Sequence, residues 1–343
     1  MRSVLVVAVA TSGWLLAMAP AVAAGPVTVR VAHFPNITHA QALVGRADGR
    51  FEQAMAPDAV VKWKRFNAGP AVVQAFLAGE LDLAYIGTGP AIVGFIKSHG
   101  EALRVIAGSA DGGAALVVRA DSGIDRPEAF RGKRISSPQM GNTQDLALRG
   151  WLAAHGLEVM QRGGDVRIIP LANPEMFAMF RRGEIDAAWV PEPWPSRLIH
   201  EGGGRLFLDE REIWKDLTGG RFATTLLVAH PRFLAEHPDL VSRWVAAHAE
   251  VTRWILANPE EAKQVVNEEL ERQMGKRLRD AVLHEAWGRV AFTTDPIPLS
   301  IERMAQWAYA QGFLGRRAPD LSQIVDGRWL AEATVVSREG TRP

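Results

Sequence analysis

The chain contains no cysteine. A disulfide framework, a thiol nucleophile and a zinc–thiolate site are therefore excluded, and stability has to come from burial. An excess of one charge is missing too. The formal net charge is +1, and beyond residue 24 the 38 remaining Lys and Arg face 38 Asp and Glu. Nucleic-acid binding needs a clustered basic surplus, so no nucleic acid is expected as a partner. The nine histidines form no i, i+4 pair and no H-E-x-x-H, which argues against a metal site. G-x-S-x-G is absent. Gly87-Thr88-Gly89 lacks both the later glycine of a dinucleotide fingerprint and the lysine of a phosphate loop. No catalytic residue and no cofactor are assigned. Long apolar runs are scarce: Val4 to Met18 is the longest, is interrupted at Thr11-Ser12-Gly13, and falls short of the roughly 20 residues that span a bilayer.

That run, Arg2 before it and the small residues Ala21-Val22-Ala23-Ala24 after it read as an export leader over residues 1–24, cleaved near 23–25. An exported chain without cysteine fits a soluble periplasmic protein.

The rest of the sequence is organised by a repeat. Phe76-Leu77-Ala78-Gly79-Glu80-Leu81-Asp82 returns as Phe180-Arg181-Arg182-Gly183-Glu184-Ile185-Asp186, and Pro70 returns as Pro174. The period suits a small α/β lobe rather than a solenoid unit. Alternating or apolar segments predict strands at Val27–Phe34, Ala59–Trp63, Leu81–Ile86 and Arg104–Ser109, then at Arg134–Ser136, Val166–Leu171, Ile185–Val190 and Phe222–Val228. Helices are expected between them. Thr38 reads as the N-cap of the first, and Val73, Phe76 and Leu77 as the buried face of the second. Asp111-Gly112-Gly113 marks the first crossing between lobes, since glycine permits hinge angles. Pro191-Glu192-Pro193-Trp194-Pro195 reads as a stiff loop at a strand's carboxyl end. From Pro231 onward the pattern is helical, expected to wrap the first lobe and to end unstructured after Ser337. The expected architecture is α/β: two lobes, each a doubly wound sheet flanked by helices, with a helical C-terminal tail. Residues 25–114 with 225–343 form lobe one, and 115–224 form lobe two.

In open sheets of this kind ligands bind beyond the carboxyl ends of strands, where helix N-termini offer N–H groups to an anion. The turns there supply Asn36, Thr38, His39, Gln41, Thr88 and Gly113 from lobe one, and Asn142 and Thr143 from lobe two. Amide, hydroxyl and imidazole groups suit hydrogen bonding to an oxyanion, although such residues also cap helices with no ligand present. Trp194 is a candidate wall or lid, with Tyr85 and Trp189 as further aromatics near strand ends. Glu192 either receives a ligand ammonium group or bridges the lobes. Glu80, Asp82, Glu184 and Asp186 are expected to cap a helix end and start a strand, because both halves repeat them.

Phe66-Asn67-Ala68-Gly69-Pro70, Ala78-Gly79-Glu80-Leu81-Asp82-Leu83-Ala84-Tyr85-Ile86-Gly87 and Gly183-Glu184-Ile185-Asp186-Ala187-Ala188-Trp189-Val190-Pro191-Glu192-Pro193 resemble the substrate-binding proteins of ABC importers for aliphatic sulfonates, taurine and nitrate. The resemblance implies a monomeric two-lobed periplasmic receptor of the type II binding-protein fold. It would close on a small anionic or zwitterionic ligand and deliver it to an ABC permease in the inner membrane. The same fold serves receptors for thiamine pyrimidine precursors, and an exported enzyme acting in the same cleft is the other alternative.

Overall fold

A computed structural model describes residues 25–331. The expected leader over 1–24 and the expected unstructured end after Ser337 lie outside the described residues. Eleven strands are present among those described: β1 Val27–His33, β2 Ala59–Arg65, β3 Leu83–Gly87, β4 Arg104–Gly112, β5 Ala114–Arg119, β6 Arg134–Ser137, β7 Arg167–Pro170, β8 Ala187–Pro191, β9 Gly204–Asp209, β10 Ala223–Ala229 and β11 Val290–Phe292. The α-helices are α1 Ala40–Ala47, α2 Arg50–Met55, α3 Gly69–Leu77, α4 Thr88–Lys97, α5 Thr143–Ala154, α6 Asn173–Arg181, α7 Trp194–Gly202, α8 Arg211–Thr218, α9 Pro231–Glu236, α10 Pro238–Ala257, α11 Pro259–Met274, α12 Asp280–Gly288 and α13 Pro298–Ala310.

Two sheets result. One runs β11-β4-β10-β3-β1-β2 and the other β7-β6-β8-β5-β9. The repeat extends to register: Val31 pairs with Leu83 in the first sheet and Ile135 with Ala187 in the second, both parallel. Each sheet then takes an antiparallel strand that has crossed over, β10 beside β3 and β5 beside β8. The chain leaves the first sheet at Gly112-Gly113 and returns after Gly219-Gly220. All four glycines have positive φ, from 68° to 84°, which side-chain-bearing residues rarely adopt.

The repeated G-E-x-D segment has a physical explanation in both halves. Its glycine takes the left-handed conformation that ends α3 or α6. Its aspartate accepts from an arginine one strand away. Asp82 takes the Arg30 backbone N–H and Nε at 2.8 Å each. Asp186 takes the Arg134 backbone N–H at 2.8 Å and its Nε at 3.0 Å. The same guanidinium donates to the preceding glycine's carbonyl, Gly79 or Gly183. Burial opposes the Asp186 charge, but the Arg134 hydrogen bonds prevail and hold its carboxyl below the usual range.

Several expectations need correction. Thr38 caps nothing; it lies inside a 3-10 turn, Ile37–His39, and α1 starts only at Ala40. Leu77 is 52% exposed, while Val72, Val73 and Phe76 form the buried face of α3. Trp194 is not on a loop: it opens α7, with Pro195 in the first turn, where proline costs no hydrogen bond. The tail does not wrap one lobe alone. α13 packs on α4 of the first lobe and on α5 and α8 of the second. Ile301, Met304 and Ala305 join a core that runs from Phe76 and Ile92 to Leu116 and Trp151. A second core lies under α10 and α11, around Phe51 stacked on Trp244.

Candidate functional site

The carboxyl ends of β1, β3, β6 and β8 face one another across the junction of the two sheets. There the N-termini of α4 and α5 come into direct contact. A Cβ on Gly87 would stand 2.4 Å from Thr143 Oγ1, and one on Gly89 would stand 3.0 Å from the Thr143 backbone. The Gly89 N–H donates to Thr143 Oγ1 at 3.1 Å. The glycines of Gly87-Thr88-Gly89 are therefore there for close helix approach, not for phosphate.

Beside this contact lies a small inner hollow of about 20 Å³, room for one or two water-sized bodies. Asn36, Thr38 and His39 line it from one lobe, Asn142, Thr143 and Gln144 from the other. No Asp, Glu, Lys or Arg is among the described residues that line it. Burial pushes the His39 imidazole well below its usual range, so it is neutral too.

Four polar groups of this hollow share a bias, whereas Thr224 spends its hydroxyl proton on the Gly112 carbonyl and Asn173 Oδ1 has no partner among the described residues. Asn142 Oδ1 accepts from the Thr143 N–H at 3.0 Å, the N-cap of α5. Asn36 Oδ1 accepts from Trp194 Nε1 at 3.3 Å. Thr143 Oγ1 accepts from Gly89. His39 Nδ1 accepts from the Phe34 N–H at 3.4 Å, which puts the ring proton on Nε2. In each case the protein uses an acceptor and keeps a donor: two amide NH2 groups, a hydroxyl and an imidazole N–H. A hollow biased this way, at the start of a 12-residue helix, favours a guest that accepts hydrogen bonds and carries negative charge.

Asn36, Asn67 and Asn173 line both this hollow and a larger outer cleft of about 360 Å³. They form a throat between the two. Asn173 is 6% exposed and its Oδ1 has no partner among the described residues. The outer cleft is walled by Trp194, Met274 and Leu278 and bordered by Arg65, Arg197, Lys276 and Arg277. Arg197 stacks over Trp194, its guanidinium carbon 4.7 Å from the ring centroid.

Of the residues expected to bind ligand, Asn36, Thr38, His39, Asn142 and Thr143 line the inner hollow and Trp194 the outer cleft. The other four line neither. Gln41 is fully buried, donating to the Ser109 carbonyl at 2.7 Å and accepting from Ser109 Oγ at 2.9 Å. Thr88 donates to the Ala223 carbonyl. Gly113 sits at the crossing, where a Cβ would meet Val290 at 2.5 Å. Glu192 is sealed from solvent and paired with Arg289 at 2.8 Å and Ser196 at 3.0 Å; burial pushes its carboxyl up to about 7 while Arg289 pulls it down. Tyr85 and Trp189 are fully buried, Trp189 donating to Glu210 at 2.6 Å. Asn67, Asn173, Thr224 and Thr225 join the lining without having been picked out as ligand-binding residues. The repeat was the available signal for Asn67 and Asn173, since both lie at the start of a repeated helix, Asn67 two residues before α3 and Asn173 as the first residue of α6.

Among the described residues there is no cluster of metal-ligating side chains, and no helix is long and apolar enough to cross a membrane. The family model described as NMT1-like matches residues 23–268. The chain is 27% identical over 301 residues to the taurine-binding periplasmic protein of Escherichia coli (strain K12), covering 84% of this chain and 89% of that one. It is 24% identical over 294 residues to a putative aliphatic sulfonates-binding protein of Bacillus subtilis (strain 168), covering 85% and 84%. Among solved structures, the alkanesulfonate-binding protein SsuA of Xanthomonas axonopodis pv. citri bound to MOPS is similar with a TM-score of 0.70 and 21% identity, over 86% of this chain and 97% of that one. The periplasmic nitrate-binding protein NrtA of Synechocystis PCC 6803 is similar with a TM-score of 0.71 and 16% identity, over 91% and 89%. These two share the two-lobed periplasmic-binding-protein fold.

Proposed function

This chain belongs to the NMT1-like family, and from that premise we propose that it is the periplasmic receptor of an ABC importer for a sulfonate-type anion. It captures the oxyanion between its lobes, without chemistry, and hands it to a membrane permease. The observation that carries the reading is the donor bias of the inner hollow. Asn36, Asn142, Thr143 and His39 have filled their acceptors internally and hold donors for a guest. Relatives named for taurine and aliphatic sulfonates support the ligand class. Among the described residues that line the hollow, none is arranged as a nucleophile with its base, which speaks against the exported enzyme.

The same reading includes export by the leader at 1–24 and action as a monomer. It also includes a hinge. The hollow is too small for a sulfonate as it stands, so the lobes part to admit it. The glycine pairs Gly112-Gly113 and Gly219-Gly220 are where the backbone turns. Trp194 closes the mouth from α7, tied to Asn36 across the lobes.

Titration calorimetry of the purified mature chain with taurine, alkanesulfonates, nitrate and sulfate tests this. Micromolar or tighter binding of a sulfonate is expected, with a matching rise in melting temperature by mass action. Absence of binding across the panel, together with turnover of any member, rejects the receptor reading.

A further inference from the structure

The outer cleft has a charge pattern that a small aminosulfonate does not use. Its border carries Arg65, Arg197, Lys276 and Arg277, with Glu201 as the one acid among its described lining residues. Glu201 is already spent, bonded to Arg197 Nε at 3.2 Å and to Arg279 Nε at 3.1 Å. Arg277 faces Glu268 and Glu271 at 4.0 and 3.7 Å. Arg65 donates to the Gln273 carbonyl, and neither it nor Lys276 takes part in an ion pair among the described residues. Both are exposed on the cleft's edge. Glu192, two residues from Trp194, is sealed from solvent and held by Arg289. Among the described lining residues a ligand ammonium group would find no carboxylate outside an ion pair, while Arg65 and Lys276 are in none, Lys276 only adding at longer range to the pull of Arg197 on Glu201.

Between this border and the inner hollow lie Trp194, Met274 and Leu278, an apolar wall that polar one-carbon or two-carbon guests leave uncovered. The throat adds the buried, unpartnered Asn173 Oδ1; a turn of its amide plane presents NH2 instead. The volumes divide the same way, about 20 Å³ inside and about 360 Å³ outside.

We propose that the ligand is two-ended and dianionic: one oxyanion in the inner hollow, an apolar body along Trp194, and a second anionic group between Arg65 and Lys276. This rests on the receptor reading and names its substrate class. An aminosulfonate such as taurine is then a poor ligand of this chain, whatever it is for the relatives.

The test compares three matched series by calorimetry: alkane disulfonates from propane to hexane, the corresponding monosulfonates, and the corresponding ω-aminosulfonates. At least one disulfonate is expected to bind about tenfold tighter than its monosulfonate, and the aminosulfonate weaker still, as two partly screened cations allow. Raising the salt, or replacing Arg65 and Lys276 by glutamine, is expected to shrink the disulfonate-to-monosulfonate ratio toward one. Equal or tighter binding of the aminosulfonate overturns the proposal while leaving the receptor reading intact. So does a disulfonate preference that survives the double substitution. If no member of any series binds, this proposal fails, and the receptor reading fails with it where nitrate and sulfate are refused as well and any member is turned over.

Discussion

Asn142 shows how much one side chain decides. Its oxygen caps α5 and its NH2 remains for the hollow. Aspartate caps a helix start as well as asparagine does, but it has no NH2 and brings a negative charge. Asn142→Asp is therefore expected to keep the melting temperature within a few degrees and to weaken sulfonate binding by at least about a hundredfold, an unpaired like charge in a dry site. Calorimetry with circular dichroism checks both halves. Unchanged affinity moves the oxyanion elsewhere. Glu210 is the second residue with a sharp signature. It is fully buried, accepts from Trp189 and Trp214, and takes part in no ion pair among the described residues. Burial pushes its carboxyl from 4.5 up to about 8, the two indole N–H groups pulling the other way. Because the folded value is raised, its contribution to stability is complete below 4.5 and is lost as pH rises toward about 8. Glu210→Gln removes that loss. The variant is expected to gain on the parent between the two limits, by on the order of 2 kcal/mol at the alkaline end, in urea titrations across that range. A pH-independent difference contradicts the assignment.

Elements explain what the repeat is for. The aspartate after each repeated glycine locks the start of a strand to an arginine on its neighbour, Arg30 to Asp82 and Arg134 to Asp186. Asp82 is the more buried of the two, with 8% of its side chain exposed against 17% for Asp186. Asp82→Ala is accordingly expected to cost about 2 kcal/mol and Asp186→Ala about 1 kcal/mol by chemical denaturation, both reduced for solvent screening. Equal costs of zero would make the motif incidental. Most of this level was legible in the sequence. The strands, the helices after Pro70 and Pro174, and the crossing at Gly112-Gly113 lie where alternation, proline and glycine put them. What was not legible has local causes. The edge strand β9, Gly204–Asp209, and the short α2 carry little periodic signal, whereas α8, with Ile213, Trp214 and Leu217 on one face, was amphipathic enough to be read. Pro191 to Pro195 looked like a loop because three prolines normally break structure; here they end one strand and start a helix, positions that need no proline N–H. Gln41 and Thr88 were indistinguishable from ligand-facing residues, since a side chain that bonds Ser109 or the Ala223 carbonyl and one that faces a cleft have the same sequence context. Glu192 is in the same position: its partner Arg289 lies 97 residues away.

At the scale of the whole molecule, two duplicated sheets face each other and α13 ties them together. Trp307 on α13 packs at 2.9 Å from where a Cβ on Gly150 of α5 would stand. That bridge also touches the second crossing: Trp307 packs on Trp214 of α8, ring centroids 4.9 Å apart, and Ser300 Oγ accepts from the Ala223 N–H at 3.1 Å. The central claim is that the oxyanion sits in the inner hollow, held by neutral donors of both lobes, with the cations kept at the outer edge. A crystal structure of the mature protein with an alkane sulfonate or disulfonate tests it most directly. The account predicts sulfonate oxygens within hydrogen-bond distance of Asn142 Nδ2, Thr143 Oγ1 and His39 Nε2, between parted lobes. A sulfonate found only against Arg65, Arg197 or Lys276, with Asn142 and His39 closed on each other, would contradict it.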